Sequence, residues 1–236
     1  MNIIGCPTAW DHSPTRWAWV GHMAMNVMGM VGWVGGWVVL LEISTRSPNW
    51  VAWAFMPYFV YGPYRAVIQI RYFPAACNML RTLREYPWQV LYGVPRGIDE
   101  HPDAESSGVW IELPHPAGSL DKGVPLTFVK HHRAFWWLRR IGGPRTKTEL
   151  KRQLEPLLFA GDPRFLGVIA AVSASGRPKR LHFLYQPSAF DEKANARRWV
   201  EVNPVDLERA RRGGARRLDA VLPVIPEANN QEGTGA

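Results

Sequence analysis

Cysteine is nearly absent from this chain: Cys6 and Cys77 are the only two in 236 residues. Two cysteines exclude a disulfide framework and a four-cysteine zinc site. Several catalytic signatures are missing too. There is no Gly-x4-Gly-Lys-Ser/Thr loop, no Gly-x-Gly-x-x-Gly, no His-Glu-x-x-His and no Gly-x-Ser-x-Gly. The common nucleotide, metalloprotease and serine-hydrolase motifs are thereby excluded. Charge is absent from one long stretch: Trp17 to Leu41 runs 25 residues without Asp, Glu, Lys or Arg. The whole chain is 47% hydrophobic with a mean hydropathy of -0.18. It is therefore neither a disordered polymer nor a protein made mostly of membrane spans.

Tryptophan is abundant, with 12 in the chain. Seven of them (Trp10, Trp17, Trp19, Trp33, Trp37, Trp50 and Trp53) fall in the first 53 residues. About 20 apolar residues cross a bilayer core, so residues 17–41 read as a transmembrane helix with room to tilt. A signal peptide has a shorter apolar core and a small-residue cleavage site, and Leu41-Glu42-Ile43 offers none. Residues 50–70 read as a second span with Arg65 near its far end, where an arginine can snorkel to the headgroups. Pro57 and Pro63 are expected to weaken or kink it. The connecting loop carries Arg46 alone, whereas Arg65, Arg71, Arg81 and Arg84 follow. Positive charge marks the cytoplasmic side, so both termini are expected there, with the tryptophans as interfacial belts.

The expected layout is a short cytoplasmic N-terminus (1–16), two transmembrane helices (17–41 and 50–70), a juxtamembrane helix (71–85), a cytoplasmic α+β domain (86–220) and a disordered tail (221–236). Candidate strands are Gln89–Val94, Val109–Leu113, Leu126–Lys130, Leu157–Ala160, Phe165–Val172 and Leu181–Tyr185. The last three suggest a meander in a mostly antiparallel sheet that could close into a barrel. Helices are expected over Thr146–Leu154, after a Ser188 cap, and after Asn203-Pro204 with a stop at Gly213-Gly214. The fold class is thus a membrane-anchored α+β protein: a transmembrane helical hairpin followed by a small β-rich domain with flanking helices.

Two segments stand out. Leu83-Arg84-Glu85-Tyr86-Pro87-Trp88-Gln89-Val90 follows the spans, and Leu158-Phe159-Ala160-Gly161-Asp162-Pro163-Arg164-Phe165-Leu166-Gly167-Val168 comes later. With the two apolar spans, they resemble a family of uncharacterised two-span integral membrane proteins of actinobacteria. That family carries a Tyr-Pro-Trp-Gln segment after the spans and a Trp-Phe-Ala-Gly-Asp-Pro-Arg-Phe-Gly-Gly-Val segment near the end. Here Leu158 stands in place of Trp and Leu166 in place of Gly. The resemblance covers most of residues 15 to 187. It implies a bacterial plasma-membrane location and no particular activity.

Candidate residues fall into groups. His22 and Asn26 share a helix face within the first span, and Gly32 and Gly36 form a small-xxx-small pair suited to close helix packing. Methionines near His22 could suggest a soft metal site, but no Cys or acidic partner accompanies them, so no metal and no cofactor is expected. His131 and His132, adjacent in sequence, make no metal site by themselves. They precede Trp136, Trp137, Arg139 and Arg140, a Trp/Arg mixture suited to the membrane interface or to a protein hot spot. Asp162, Arg164 and Phe165 sit in a turn whose chemistry accounts for Gly, Asp and Pro without catalysis, while still offering a recognition surface. Arg211, Arg212, Arg216 and Arg217 could bind an anion, but interleaved acids dilute the field. From Glu85 onward there are 22 basic and 18 acidic residues, too mild an excess to argue for nucleic acid.

The leading expectation is a non-enzymatic membrane anchor for a small cytoplasmic interaction domain. Its partners would be the lipid bilayer, a protein and conceivably a second copy of itself. The alternatives are a membrane-tethered polyanion binder using the C-terminal arginines, an enzyme with a site around Asp162, Arg164 and His182, and an oligomeric channel or transporter component lined by His22 and Asn26.

Overall fold

The first uncharged stretch forms a single long helix. In the computed structural model, which describes residues 5–91, 110–114, 123–129, 134–141, 149, 154–190 and 202–216, α1 spans Ser13–Arg46. Pro14 suits its first turn, where no backbone N–H is required. Thirty-four residues make about 51 Å of helix, more than the roughly 30 Å of a bilayer core. Only 6% of its most apolar window is buried in the protein, so it is not the core helix of a globular fold. Among the described helices α1 alone is long and apolar enough to cross a membrane.

Ser47 and Pro48 separate α1 from α2 (Asn49–Ile70). α2 continues as helix through Pro57 and Pro63. The two helices pack antiparallel along a seam on α1 at Asn26, Gly29, Trp33 and Gly36, spacings of three and four residues. Gln69 Nε2 donates to the Asn26 carbonyl at 3.1 Å, and Trp33 stacks on Tyr58 with ring centroids 5.7 Å apart. Trp37 Nε1 donates to the Phe59 carbonyl at 3.3 Å. A β-carbon on Gly36 would meet the Tyr58 hydroxyl at 2.5 Å, and one on Gly29 would meet Gln69 Nε2 at 3.1 Å. One on Gly32 would meet nothing within 4 Å. The expected Gly32/Gly36 pair is therefore split: Gly36 and Gly29 take the seam, while Gly32 faces away from α2.

Arg71 turns the chain into α3 (Tyr72–Glu85), whose buried side holds Ala76, Met79, Thr82 and Leu83. After it come β1 (Gln89–Leu91), β2 (Trp110–Leu113), β3 (Val124–Phe128), α4 (Ala134–Ile141), β4 (Leu157–Asp162), β5 (Leu166–Val172), β6 (Pro178–Tyr185) and α5 (Pro204–Gly213). The strands form one antiparallel half-barrel sheet in the order β1-β4-β5-β6-β3-β2. The expected meander is there as β4-β5-β6, and β1 and β2 form the two edges.

The pleat divides the core in two. Leu158, Ala160, Val168 and Phe183 face one cluster with Met79, Leu83 and Ala210. Leu157, Phe159, Ile169 and Leu184 face the other with Trp137 and Ile141 of α4. Covering both faces explains why β4 is buried at every position and reads as a continuous apolar run. Burial of this apolar surface is the main favourable term, at about 25 cal/mol per Å² removed from water.

Several expectations are corrected. No element was expected before α1. A 3-10 turn at Ala9–Asp11 packs on α3, and Ala9 N donates to the Tyr86 carbonyl at 2.8 Å. Trp136 and Trp137 lie on α4, which the expected helices did not include. Ser188 sits inside a 3-10 turn, Pro187–Ala189, rather than at a helix cap. Asn203 does cap α5, accepting from Val205 N at 3.0 Å, and Gly214 closes it at φ 117°. His131 to Arg133, most of the Thr146–Leu154 helix, Arg217 and the tail lie outside the described residues.

Overfilling the seam should separate the glycines. Gly36→Leu is expected to destabilise the α1–α2 pair by about 1–3 kcal/mol, and Gly32→Leu by far less. Thermal unfolding in detergent micelles measures both. Equal effects would show that Gly32 also packs.

Candidate functional site

The two conspicuous sequence segments meet as neighbouring strands. Gln89 pairs with Phe159, Val90 with Leu158 and Leu91 with Leu157 across β1 and β4. This brings Tyr86-Pro87-Trp88-Gln89 beside Gly161-Asp162-Pro163-Arg164. Between them lies a cavity of about 420 Å³, lined by Tyr86, Gln89, Asp162, Arg164, Asp206 and Arg209 among others.

The charges of this cavity are matched within it. Asp162 accepts from Arg164 Nε at 2.9 Å and from Arg164 Nη2 at 2.6 Å, one guanidinium holding both oxygens. It also accepts from Arg164 N at 2.9 Å, the side-chain turn expected of Asp before Pro. Arg164 Nη2 reaches on to Asp206 Oδ2 at 2.7 Å, on the first turn of α5. These acids, with their hydrogen bonds, hold the Arg164 guanidinium well above its ordinary value against the opposing effect of burial. One turn along α5, Arg209 Nε donates to the Glu85 carbonyl at 2.9 Å and lies 4.5 Å from the Tyr86 ring. Arg212 Nε pairs with Glu85 Oε2 at 3.0 Å. The arginines thus cap the C-terminal end of α3 and fasten α5 to it. Both Asp162 carboxylate oxygens are engaged by Arg164.

Two details belong to the same corner. The Tyr86 hydroxyl is buried and has no hydrogen-bond partner among the described residues. Burial, reinforced by Asp162, pushes its ionisation well above the ordinary tyrosine value. Gly161 and Gly167 face each other across β4 and β5, with Gly161 at φ 151°. A side chain at Gly161 would collide with the backbone of Leu166 and Gly167. Glycine is required there by close approach.

The expected interaction surface divides. Phe165 is fully buried in the cluster facing α3 and α5, whereas Trp137 is buried in the cluster on the other face of the sheet. Trp136 is half-buried and Arg139 exposed on α4, so these residues do not share a surface with Asp162 and Arg164. The arginine cluster near the C-terminus is largely committed, Arg211 to Glu208 at 3.2 Å and Arg212 to Glu85. Arg216 is exposed at the end of the described chain. His182 shares a hydrogen bond with the Val129 carbonyl at 3.2 Å, far from Asp162 in the sheet register. The expected site around Asp162, Arg164 and His182 is not assembled.

Between α1 and α2, His22 and Asn26 also separate. Asn26 is fully buried against Gln69, and its Nδ2 has no partner. His22 instead lines a recess of about 290 Å³ with Met25 of α1, Trp136 and Trp137 of α4, and Arg180 of β6. Arg65 does not extend past Ile70. Its guanidinium lies 5.5 Å from the Trp33 ring and 5.8 Å from the Tyr61 ring. Helical side chains lean toward their own N-terminus, and for α2 that direction is back along Tyr61. Among the described residues no group of three His, Cys, Asp or Glu side chains gathers at metal-binding distance.

Tyr86, Asp206 and Arg209 escaped sequence reasoning. The first lay in a segment noticed only as a landmark, and the other two lay in a charge-rich helix read as solvated. The chain matches no protein-family model, no curated protein and no solved structure.

Two outcomes follow for this corner. A tyrosine that resists ionisation when folded contributes stability that is complete below about pH 10 and is lost as pH rises above it. Tyr86→Phe should remove that alkaline loss, as measured by denaturant midpoints across the alkaline range. Gly161→Ala should cost about 1–3 kcal/mol from backbone strain, with the collision adding to it. A melting temperature equal to the parent's would contradict the close approach.

Proposed function

We propose that the chain is a non-enzymatic plasma-membrane protein in which two helices hold a β-rich domain rigidly against the inner leaflet for a protein partner. The observation that carries this reading is how α1 enters the domain. Counting about 20 residues of span back from Leu41 leaves the first turns of α1, from Ser13, on the domain side of a bilayer, and these are bolted down. Trp19 Nε1 donates to the Ala76 carbonyl at 3.0 Å, and Trp88 Nε1 donates to Thr15 Oγ1 at 2.9 Å. Trp10 packs edge-on against Trp19, with Arg84 over its other neighbourhood at 5.4 Å from the ring. The domain is fixed to the helix rather than tethered.

A rigid mount suits presentation of a surface at a set height and orientation, which an adaptor needs and a freely diffusing enzyme does not. The exposed apolar side chains of α2, including Trp50, Trp53 and Val60, support its placement in lipid beside α1. The arginines after α2 support a cytoplasmic domain. The resemblance to two-span actinobacterial proteins points the same way.

Two measurements test the reading. Cys77 is exposed on α3. With Cys6→Ser as background, Cys77 should react with a membrane-impermeant thiol reagent only from the cytoplasmic side, and Ser47→Cys only from the outside. The reverse pattern overturns the topology. Cross-linking in the native membrane, followed by purification and mass spectrometry, should then recover one recurrent protein linked to the domain after Tyr86. Recovery of the chain linked only to itself through its first 84 residues replaces the adaptor with a self-assembling membrane component.

A further inference from the structure

Arg180 occupies a position that its backbone disfavours. It has φ of 55°, the left-handed region that non-glycine residues avoid. It sits in an irregularity of β6, where the pairing slips between Ile169 with His182 and Ala171 with Lys179. Such a bulge re-aims a side chain, and Lys179 and Arg180 are consecutively exposed as a result. The Arg180 guanidinium lies 4.5 Å from the centre of the Trp136 ring. Arg140 lies 4.1 Å from the same ring, and Arg139 is exposed on the same helix. Burial, with Arg180 and Arg139 as neighbouring cations, pushes the Arg140 guanidinium below its ordinary value. Among the described residues no acidic side chain pairs with Arg139 or Arg180. Elsewhere in the domain Arg164, Arg211 and Arg212 all have acid partners.

The height of this cluster follows from α1. The start of β6 runs along the helix, with Arg177 and Pro178 against Ser13 to Ala18 and Arg180 and Leu181 against Ala18 to Met25. Counting about 20 residues back from Leu41, the end of the uncharged stretch, reaches the level of His22. The recess of about 290 Å³ that His22, Met25, Trp136 and Arg180 line therefore lies where the apolar span gives way to headgroups. Next in sequence to the lining residues Ala18 and Trp136, Trp17 and Phe135 are exposed, amphipathic and apolar side chains suited to that layer.

We propose that this recess binds the phosphate of an anionic phospholipid of the inner leaflet, with Arg180 as the principal donor, Arg139 and Arg140 beside it and Trp136 as the wall on which the cations rest. The proposal rests on the anchored reading, with α1 crossing the bilayer. It adds the ligand: a phosphodiester carrying net negative charge, at a defined depth. A left-handed arginine at the bulge is then a cost retained for binding, and the domain is pinned to the leaflet at a second point besides its helices.

The test uses the full chain in phosphatidylcholine vesicles with and without phosphatidylglycerol. Lipid carried through detergent extraction is quantified by mass spectrometry, and thermal stability is measured in parallel. The parent should retain phosphatidylglycerol in preference. Arg180→Gly and Arg139→Gln should each lower that preference about fivefold, the weight of one basic residue near an anionic surface. Arg180→Gly should melt no lower than the parent in phosphatidylcholine alone, because glycine relieves the left-handed backbone. Arg211→Gln with Arg216→Gln should leave the preference unchanged. The proposal is overturned by an undiminished preference in Arg180→Gly, or by an equal loss in the Arg211/Arg216 pair, which would show bulk charge alone. Stabilisation by inorganic phosphate without any lipid preference would assign the recess to a free anion and overturn the lipid site. Ser47→Cys labelling reads the topology independently, so correct topology without lipid preference removes the site and leaves the anchor.

Discussion

On the anchored reading proposed above, a helix of about 51 Å exceeds a bilayer core of about 30 Å, and the contacts at its N-terminal end answer that excess. The surplus turns at the start of α1 are more polar than the uncharged run, yet carry Trp19, which needs cover. The domain supplies it. Trp19 finds a carbonyl on α3, Thr15 receives the indole N–H of Trp88, and the turn at Ala9–Asp11 closes over the junction. Each contact joins residues far apart in sequence, so helix, juxtamembrane segment and sheet form one body. A domain hung on a flexible linker would have no such fixed height.

Charge is handled differently on the two sides of the sheet. Toward α3 and α5, Arg164 bridges the carboxylates of Asp162 and Asp206, Arg209 holds the Glu85 carbonyl and Arg212 the Glu85 carboxylate. Such partly buried pairs fix geometry more than they add stability, because desolvation offsets much of the attraction. They decide how α5 sits on α3. Toward α4 and the start of β6, Arg139 and Arg180 have no such acids among the described residues, although Glu and Asp are common elsewhere in the domain. The contrast within one small fold is what gives the basic recess its meaning.

How much was legible in the sequence differs by element. The uncharged run from Trp17 declared a membrane-competent helix, since hydrophobic length is a local property. The β4-β5-β6 meander was readable from its turns, because Asp, Pro and Gly set backbone angles on their own. The cap at Asn203 and the stop at Gly214 were readable for the same reason. Helix α4 was not. Its eight residues carry too few turns for a period, and its tryptophans gain their meaning only by packing on the sheet. The direction of Arg65 was missed because snorkelling toward the nearest interface competes with the lean of helical side chains, and aromatic rings at Trp33 and Tyr61 settle the competition.

The sequence by itself determined the existence of the apolar helix, the excess of basic residues after α2 and the turn chemistry of the meander. All three depend on neighbours within a few residues. Only the tertiary structure decided that Tyr86 and Asp162 share a cavity, that Gly36 and not Gly32 meets the next helix, and that Arg180 is turned toward Trp136 at the level of His22. Those outcomes depend on strand register, helix rotation and a bulge, each of which can shift by one residue without altering any local preference. Packing between segments distant in the chain fixes them.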